Sequence, residues 1–544
     1  MSNTRIFSAR NVITMNPSQP EATHVAVRDG RILGVGSLES LASFAPYTLD
    51  ERYADATLLP GFVEGHAHAL EGAMWEYVYL GYFERKDPEG QIWSGVTSFA
   101  AMQERLREQA AQLPADQPLI AWGLDPIYFD GARLTREVID AAVSDRPVVV
   151  IHSNLHVISV NSATVEAADL DRHAGVEGIV LDESGKPTGE LQELAAMHAV
   201  ISALELSFDL LKGNDARALR RFANAAANVG ITTTTDLINP LNEASMDHLQ
   251  AATGSDEFPV RLVPALASMA YTPEAGIERM HSVQDKGHNK LAFGPVKMVT
   301  DGSIQGYTAR LKWPYYHDGH PNGMWNAPPE AMVEMIHSYH QAGMQLHIHT
   351  NGDEAVELAL DALEEALSLW PRADHRHTLQ HCQIIDHAQL KRAAKLGVCL
   401  NMFANHLYYW GDIHRDRTIG PERALRLEPL ASARALNITT TVHCDAPVTP
   451  LGPLFAAWCA VNRETSSGAQ LGDREKVSVE EALRMITLDA AYTLKLDHMI
   501  GSLEIGKQAD MVALAENPLE VDPHALRDIQ VLGTVLGGVV YDAR

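Results

Sequence analysis

Cysteine is scarce in this chain: four residues in 544, Cys382, Cys399, Cys444 and Cys459, with no C-x-x-C pair. That spacing excludes a disulfide framework and a thiolate zinc site, and it fits a reducing compartment. Long apolar runs are missing too. No stretch reaches the ~18 uninterrupted apolar residues of a membrane span, and residues 1–10 lack the apolar core and small-residue cleavage site of a secretory leader. A cytoplasmic protein without a membrane partner is expected. Positive charge is also short, with 43 Lys and Arg against 70 Asp and Glu, a net charge of −27. Such a surface repels phosphate backbones and anionic headgroups, so nucleic acid is not an expected partner either. The chain carries no internal repeat and no low-complexity tract.

What is present is a chain of 46% apolar residues, long enough for a large core. It exceeds the ~250 residues of a bare (β/α)₈ barrel, so insertions or a second domain are expected. Between residues 60 and 495 short β-rich runs alternate with longer helical patterns, which predicts an α/β fold with a parallel sheet. Eight candidate strands end at His66, near Asp236, Ala267, Asp301, Gly352, Gln383, Phe403 and Asp445. The clearest helix follows the fifth strand, where Val356, Leu360, Leu363 and Leu367 form one apolar stripe and Glu364-Glu365 fall outside it. Ser478 and Glu481, in capping-box spacing, open the last long helix.

Residues 1–59 form a small β unit, with Val25, Val27, Ile32 and Val35 flanking the hairpin signal Asp29-Gly30. The same texture returns at Ala509-Asp510-Met511-Val512-Ala513-Leu514 and 531–541, so residues 496–544 are expected to share its sheet. Residues 70–215 separate the first two strands and predict an inserted subdomain over the barrel mouth, with a helix at 102–112 and a strand at 147–153. Residues 313–329 and 405–421, rich in Gly, Pro, His and aromatics without periodicity, are expected to be pocket-shaping loops.

The chemistry starts at His66-Ala67-His68, behind the apolar run Pro60-Gly61-Phe62-Val63. Residues two apart on a strand face the same side, so both imidazoles can converge on one ion as neutral donors. Downstream lie Val296-Lys297 with Asp301-Gly302-Ser303, His349 with Gly352-Asp353, Leu379-Gln380-His381-Cys382-Gln383, Asp445-Ala446-Pro447-Val448, and Gly501-Ser502-Leu503-Glu504 with Gly506-Lys507. Through these motifs the whole chain resembles the amidohydrolase superfamily, in the branch of long amidohydrolases that includes N-substituted formamide deformylases. The resemblance implies a TIM-like barrel with an inserted subdomain after the first strand, plus a β-sandwich built from both chain ends.

It also implies the ligand set. His66 and His68 hold one divalent ion, His349 and His381 a second, and Lys297, carboxylated by CO₂, bridges them as an anion. The alternative for Lys297 is an ion pair with an acid such as Asp301. Of the pair His347 and His349, the resemblance selects His349, leaving His347 to a core or supporting role. Asp445 is expected both to bind metal and to move the proton, with His381 beside it at the reacting atoms. His443, where a small residue is expected, reads equally as a supporting donor or a structural residue. Glu64 replaces the aspartate of many relatives and still fits an orienting role. In the insertion, His156 and Asn161 are candidate substrate contacts or structural residues, and Gly189, Leu191 and Glu193 are a weaker match. Trp75, Tyr79, Tyr82, Phe83, Trp122, Tyr128 and Phe129 either wall an apolar pocket or fill a core.

The expected function is hydrolysis of a non-peptide C–N bond, an N-formyl or N-acyl amide, by hydroxide on a centre of two zinc ions, manganese or cobalt being substitutes. The alternatives are ester or lactone hydrolysis at the same centre, a cyclic amide or deamination substrate, and a noncatalytic binding or regulatory protein. The expected partner is a small-molecule substrate. The resemblance allows a homodimer, but no interface is legible.

Overall fold

The structure, a computed structural model, describes residues 4–129, 133–204 and 215–544. Parts of the expected insertion, 130–132 and 205–214, lie outside the described residues.

Eight parallel strands pair in sequence order: β1 (Phe62–Glu64), β2 (Ile231–Asn239), β3 (Arg261–Ala267), β4 (Pro295–Val299), β5 (Gln345–Thr350), β6 (Thr378–His381), β7 (Cys399–Met402) and β8 (Thr440–Val442). Nearly every residue in them is buried, as parallel strands covered on both faces require. The first and last strands meet just beyond their C-terminal ends. Asp445 N donates to His66 O at 3.0 Å, and His68 N donates to Ala446 O at 2.8 Å. The result is a TIM-like barrel whose strand ends fall within three residues of where the sequence put them, gathered at one mouth.

The helix Asp353–Leu369 buries Val356, Leu360 and Leu363 against the barrel and turns Glu365 outward. Two helical expectations need correction. Ser478 does form the capping box, but its helix stops at Met485 and a second one runs Leu488–Thr493. The break lets Ile486 O accept from Val63 N at 2.8 Å, which ties the helix layer to β1. Residues 405–421 are not a loop: Asn405–Ile413 is a helix continuing into a wide turn, His414–Thr418. His406, Leu407, Trp410 and His414 are all buried, so the segment is covered on several faces and shows no stripe. Residues 313–328 are irregular, as expected.

Between β1 and β2 lies a six-stranded mixed sheet. Its spatial order is Ile179–Leu181, Pro187–Gln192, Val157–Val160, Val148–His152, Leu119–Leu124, Val78–Tyr79, and the helix Phe99–Ala110 packs Met102 and Leu106 against it. The chain ends share an eight-stranded sheet in which Thr57–Pro60 pairs antiparallel with Met511–Leu514. Within it the Asp29-Gly30 hairpin takes φ of 53° and 75°, the double left-handed turn its sequence favours. Among the described residues no helix is long and apolar enough to cross a membrane.

Candidate metal centre

The backbone beyond β1 is held in place by its neighbours. His66 N donates to Glu64 Oε1 at 3.0 Å, Ala67 N to Thr235 Oγ1 at 3.0 Å and Ala69 N to Asp236 Oδ1 at 3.1 Å. The other oxygen of Glu64 accepts from Cys444 N at 3.1 Å, so this carboxyl joins the ends of β1 and β8. Burial pushes it up to about 8. The longer side chain in place of aspartate thus has an orienting role.

His66 and His68 both reach Asp445 Oδ1 through Nε2, at 3.3 and 3.2 Å. His381 Nδ1 lies 3.8 Å from Asp445 Oδ2, and Lys297 Nζ lies 3.2 Å from His66 Nε2. All of these side chains are buried. His381 and Asp445 have φ of 70° and 53°, left-handed conformations that cost non-glycine residues about 1–3 kcal/mol and cluster at functional sites.

A polar network beneath the cluster sets the tautomer of His66. Asn401 Nδ2 donates to Gln380 Oε1 at 2.9 Å, and the same oxygen accepts from His66 Nδ1 at 2.7 Å. With Nδ1 carrying the proton, His66 Nε2 keeps its lone pair toward Asp445 and Lys297. Gln380 Nε2 in turn donates to His347 Nδ1 at 2.8 Å, and the other nitrogen of His347 faces Thr493 O. His347 is therefore a hydrogen-bonded support, one of the two roles open to it.

Burial, with Lys297 and neighbouring histidines adding to it, holds His66 and His381 well below the usual imidazole range, so both are neutral donors. Burial also opposes charge on Asp445, but His68, 3.2 Å from Oδ1, together with His443 and Lys297, outweighs it and favours the carboxylate form.

Among the described residues two sets of donor atoms each lie within 4.8 Å of one another: His66, His68 and Asp445, and His66, His381 and His443. His349 joins neither set. Its ring packs 4.4 Å from that of His381, while Nε2 faces Gly302 O at 3.2 Å and Asn351 Nδ2 at 3.1 Å. Asp301, the alternative partner for Lys297, accepts instead from the backbone N–H groups of Arg310, Asn351 and Gly352. Both nitrogens of His381, both of His443 and Asp445 Oδ1 are buried without a hydrogen-bond partner among the described residues. Lone pairs of this kind, converging and otherwise unsatisfied, suit a cation. The donor set fits a divalent metal.

The segment between β1 and β2 reaches the same mouth. His156 donates Nδ1 to Glu193 Oε2 at 2.9 Å, and its ring lies 5.1 Å from His349. Burial disfavours its charged form, but Glu193 more than compensates and raises its pKa. A Cβ on Gly302 would sit 2.2 Å from Glu193 Oε1, so only glycine admits this carboxylate against β4. Asn161 is a correction. Its Oδ1 accepts from Val148 N, Thr164 N and Thr164 Oγ1, and its Nδ2 donates to Val143 O and Arg146 O. Fully used as the cap of the helix Ser162–Ala167, it has nothing left for substrate.

Arg85 crosses to the barrel, pairing with Glu71 at 2.6 Å and donating to Pro447 O at 2.6 Å, two residues past Asp445. The aromatics divide. Tyr79, Tyr82, Phe83, Tyr128 and Tyr409 line a slot that also touches Pro447 and Val448. Trp75 and Trp122 pack on the Arg85 guanidinium, and Phe129 packs on Phe99. Beyond the slot, a cavity of about 240 Å³ is lined by Arg133, His152, Asn154, Glu190 and Arg417. The slot and the cavity share Asp125.

The amidohydrolase family (Amidohydro_3) matches residues 54–541. The chain belongs to this family. The family match spans the barrel and both flanking strands of the terminal sheet, Thr57–Pro60 and Met511–Leu514. The chain is 27% identical to the putative amidohydrolase YtcJ of Bacillus subtilis, over 98% of each chain. It is 26% identical to the N-substituted formamide deformylase of Arthrobacter pascens, over 97% of this chain and 96% of that one. In fold it is similar to an uncharacterized metal-dependent hydrolase from Pyrococcus horikoshii, with a TM-score of 0.72 at 20% identity, over 96% of this chain and 99% of that one. As an amidohydrolase the chain is an enzyme, and its mouth carries a His/Asp metal-binding group.

What the sequence reading left open was His443, now placed among the donors. The signal for it was its position two residues before Asp445, just past the C-terminal end of β8.

Proposed function

We propose that the chain hydrolyses the C–N bond of an acyclic N-formyl or N-acyl amide that carries an aromatic or apolar substituent. The observation that carries this reading is the convergence of unpartnered buried donors around Asp445 at the barrel mouth. The formamide-acting relative supports the bond type. His66, His68 and Asp445 would hold one ion and His349 with His381 a second, zinc first and manganese or cobalt as substitutes. Lys297 would bridge them as a carbamate. Burial holds its amine down to about 7, against the opposing pull of Asp445, so near neutral pH it is available to add CO₂ with loss of a proton. Bound there, a divalent ion supplies Lewis acidity and acidifies a water.

Asp445 then accepts the proton of the attacking water and returns it to the departing nitrogen. His156, oriented by Glu193, donates a hydrogen bond to the substrate, and the Tyr82, Phe83, Tyr128 and Tyr409 slot takes the substituent. In this reading residues 60–495 are the catalytic unit, with 70–215 lowered over its mouth, and 1–59 with 496–544 form a β-sandwich beside it.

A panel of formanilides, acyl anilides, N-acyl amino acids and matched aryl esters tests the substrate class. Amine release from formamides or anilides is expected, and turnover of esters alone would favour the ester reading. Lys297→Ala should lower occupancy of the second ion and activity together, with partial rescue by small carboxylates. Normal two-ion loading of that variant without added anion would remove Lys297 as the bridge.

A further inference from the structure

We propose that the cavity beyond the aromatic slot is a carboxylate subsite anchored by Arg417, so that the preferred substrate is an N-formyl or N-acyl amino acid whose aromatic or apolar side chain takes the slot. The proposal rests on the amide reading above and names the substrate class within it.

The cavity, about 240 Å³, adjoins the proposed substrate contact, since Asn154 and Val157, on either side of His156 in the chain, both line it. Asn154 Oδ1 accepts from His156 N at 2.9 Å, and its Nδ2 donates to Ser303 Oγ at 2.9 Å. Ser303 follows Gly302, whose carbonyl faces His349 Nε2 at 3.2 Å. The hydrogen bonds that seat His156 beside His349 therefore also build the cavity wall. Slot and cavity meet at Asp125, so a ligand whose amide lies at the mouth has room for one arm in each.

The acids around the cavity are already engaged. Glu190 accepts from Arg133 Nε at 2.8 Å and from Arg133 Nη2. Asp125 accepts from Trp410 Nε1 at 2.7 Å and Ser153 Oγ at 3.1 Å, and the exposed Asp318 accepts from Tyr307 Oη at 2.6 Å. Arg417 is different. Half-buried, it donates to a neutral group, Ile127 O, at 2.9 Å and makes no ion pair among the described residues. A guanidinium so placed lacks an anion, and its planar fork matches a carboxylate. Gln305, only 3% exposed, also lines the cavity, and its Oε1 is buried without a partner among the described residues. Such an acceptor calls for a donor. An open cation and an open acceptor together match a ligand that offers a carboxylate and an N–H, which an N-acyl amino acid presents on neighbouring atoms.

The test uses probes that are not consumed. The methanesulfonamides of phenylalanine and of phenethylamine resist hydrolysis and differ only in the carboxylate, and calorimetry gives their Kd for wild type and Arg417→Gln. Wild type should bind the carboxylate probe at least ~10-fold more tightly than the neutral one, the usual size of a charged hydrogen-bonded contact. Arg417→Gln should bring the two affinities within ~3-fold of each other, because the fork and its charge are gone. If that variant lacks native circular dichroism, Gln305→Glu, which puts an anion into the cavity, is read by the same criterion. Equal affinities in wild type, no binding of either probe, or a preference that survives the substitution would overturn the proposal. A surviving preference that vanishes on chelation would place the carboxylate on metal instead. Turnover of N-formylphenylalanine is measured separately: the predicted probe preference without amide hydrolysis would bring down the amide reading and leave the carboxylate subsite standing.

Discussion

Asp445→Asn should keep the fold and part of its metal while losing turnover by the roughly 10²–10⁴ of a missing general acid or base. The amide nearly preserves the shape of the carboxylate but removes its charge and its ability to accept a proton. Asp445 Oδ1 is the atom on which His66 and His68 converge, and it has no hydrogen-bond partner among the described residues. The loss should be largest for poor leaving groups, because an amine must be protonated as its C–N bond breaks whereas a nitrophenolate leaves as an anion. Comparing kcat/KM for matched anilides and nitrophenyl esters in wild type and variant measures the difference. An equal, small loss on both would limit Asp445 to holding metal.

Arg261→Ala should destabilise the protein by about 3–5 kcal/mol, the usual effect of breaking a buried ion pair from one side. Arg261, at the start of β3, pairs with Asp510 at 2.7 Å, with both side chains almost wholly buried. It also donates to Thr233 Oγ1 at 2.9 Å and Asn289 O at 2.8 Å, while Asp510 Oδ1 accepts from Gly537 N at 2.8 Å. The pair ties the barrel to the terminal sheet, and removing the arginine leaves a buried carboxylate without its counter-ion. Denaturation midpoints read the loss, and limited proteolysis should find the strand Met511–Leu514 newly accessible. Replacing both partners, Arg261→Met with Asp510→Leu, should recover much of the stability, since an apolar pair leaves no orphan charge. A single variant as stable as wild type would show that the pair does not hold the two sheets together.

The barrel was legible because buried parallel strands read as short apolar runs, and several of these runs end at or beside a polar residue such as His66, Asp236, Asp301 or Asp445. His66 and His68 followed from the two-residue period of extended backbone, and Asp29-Gly30 from turn chemistry. Asn161 was misread although Asn161-Ser162 before Ala-Thr-Val is also a helix start, and the structure uses it as a cap. The helix Asn405–Ile413 was missed because a segment packed on several faces carries no stripe to reveal its period. His349 and His443 show a different limit. Strand alternation tells which side of the barrel a side chain faces, but not which layer meets an ion. The direction of His349 Nε2, toward Gly302 O, depends on a loop contact that residue spacing does not encode.

The central claim is that hydrolysis runs on an ion held by His66, His68 and Asp445. Metal content per chain, measured in the same samples as hydrolysis before chelation, after chelation and after reloading, tests it most directly. Metal and activity should disappear together and return together with zinc, manganese or cobalt, because the nucleophile depends on the ion. Full activity in metal-free protein would contradict the account.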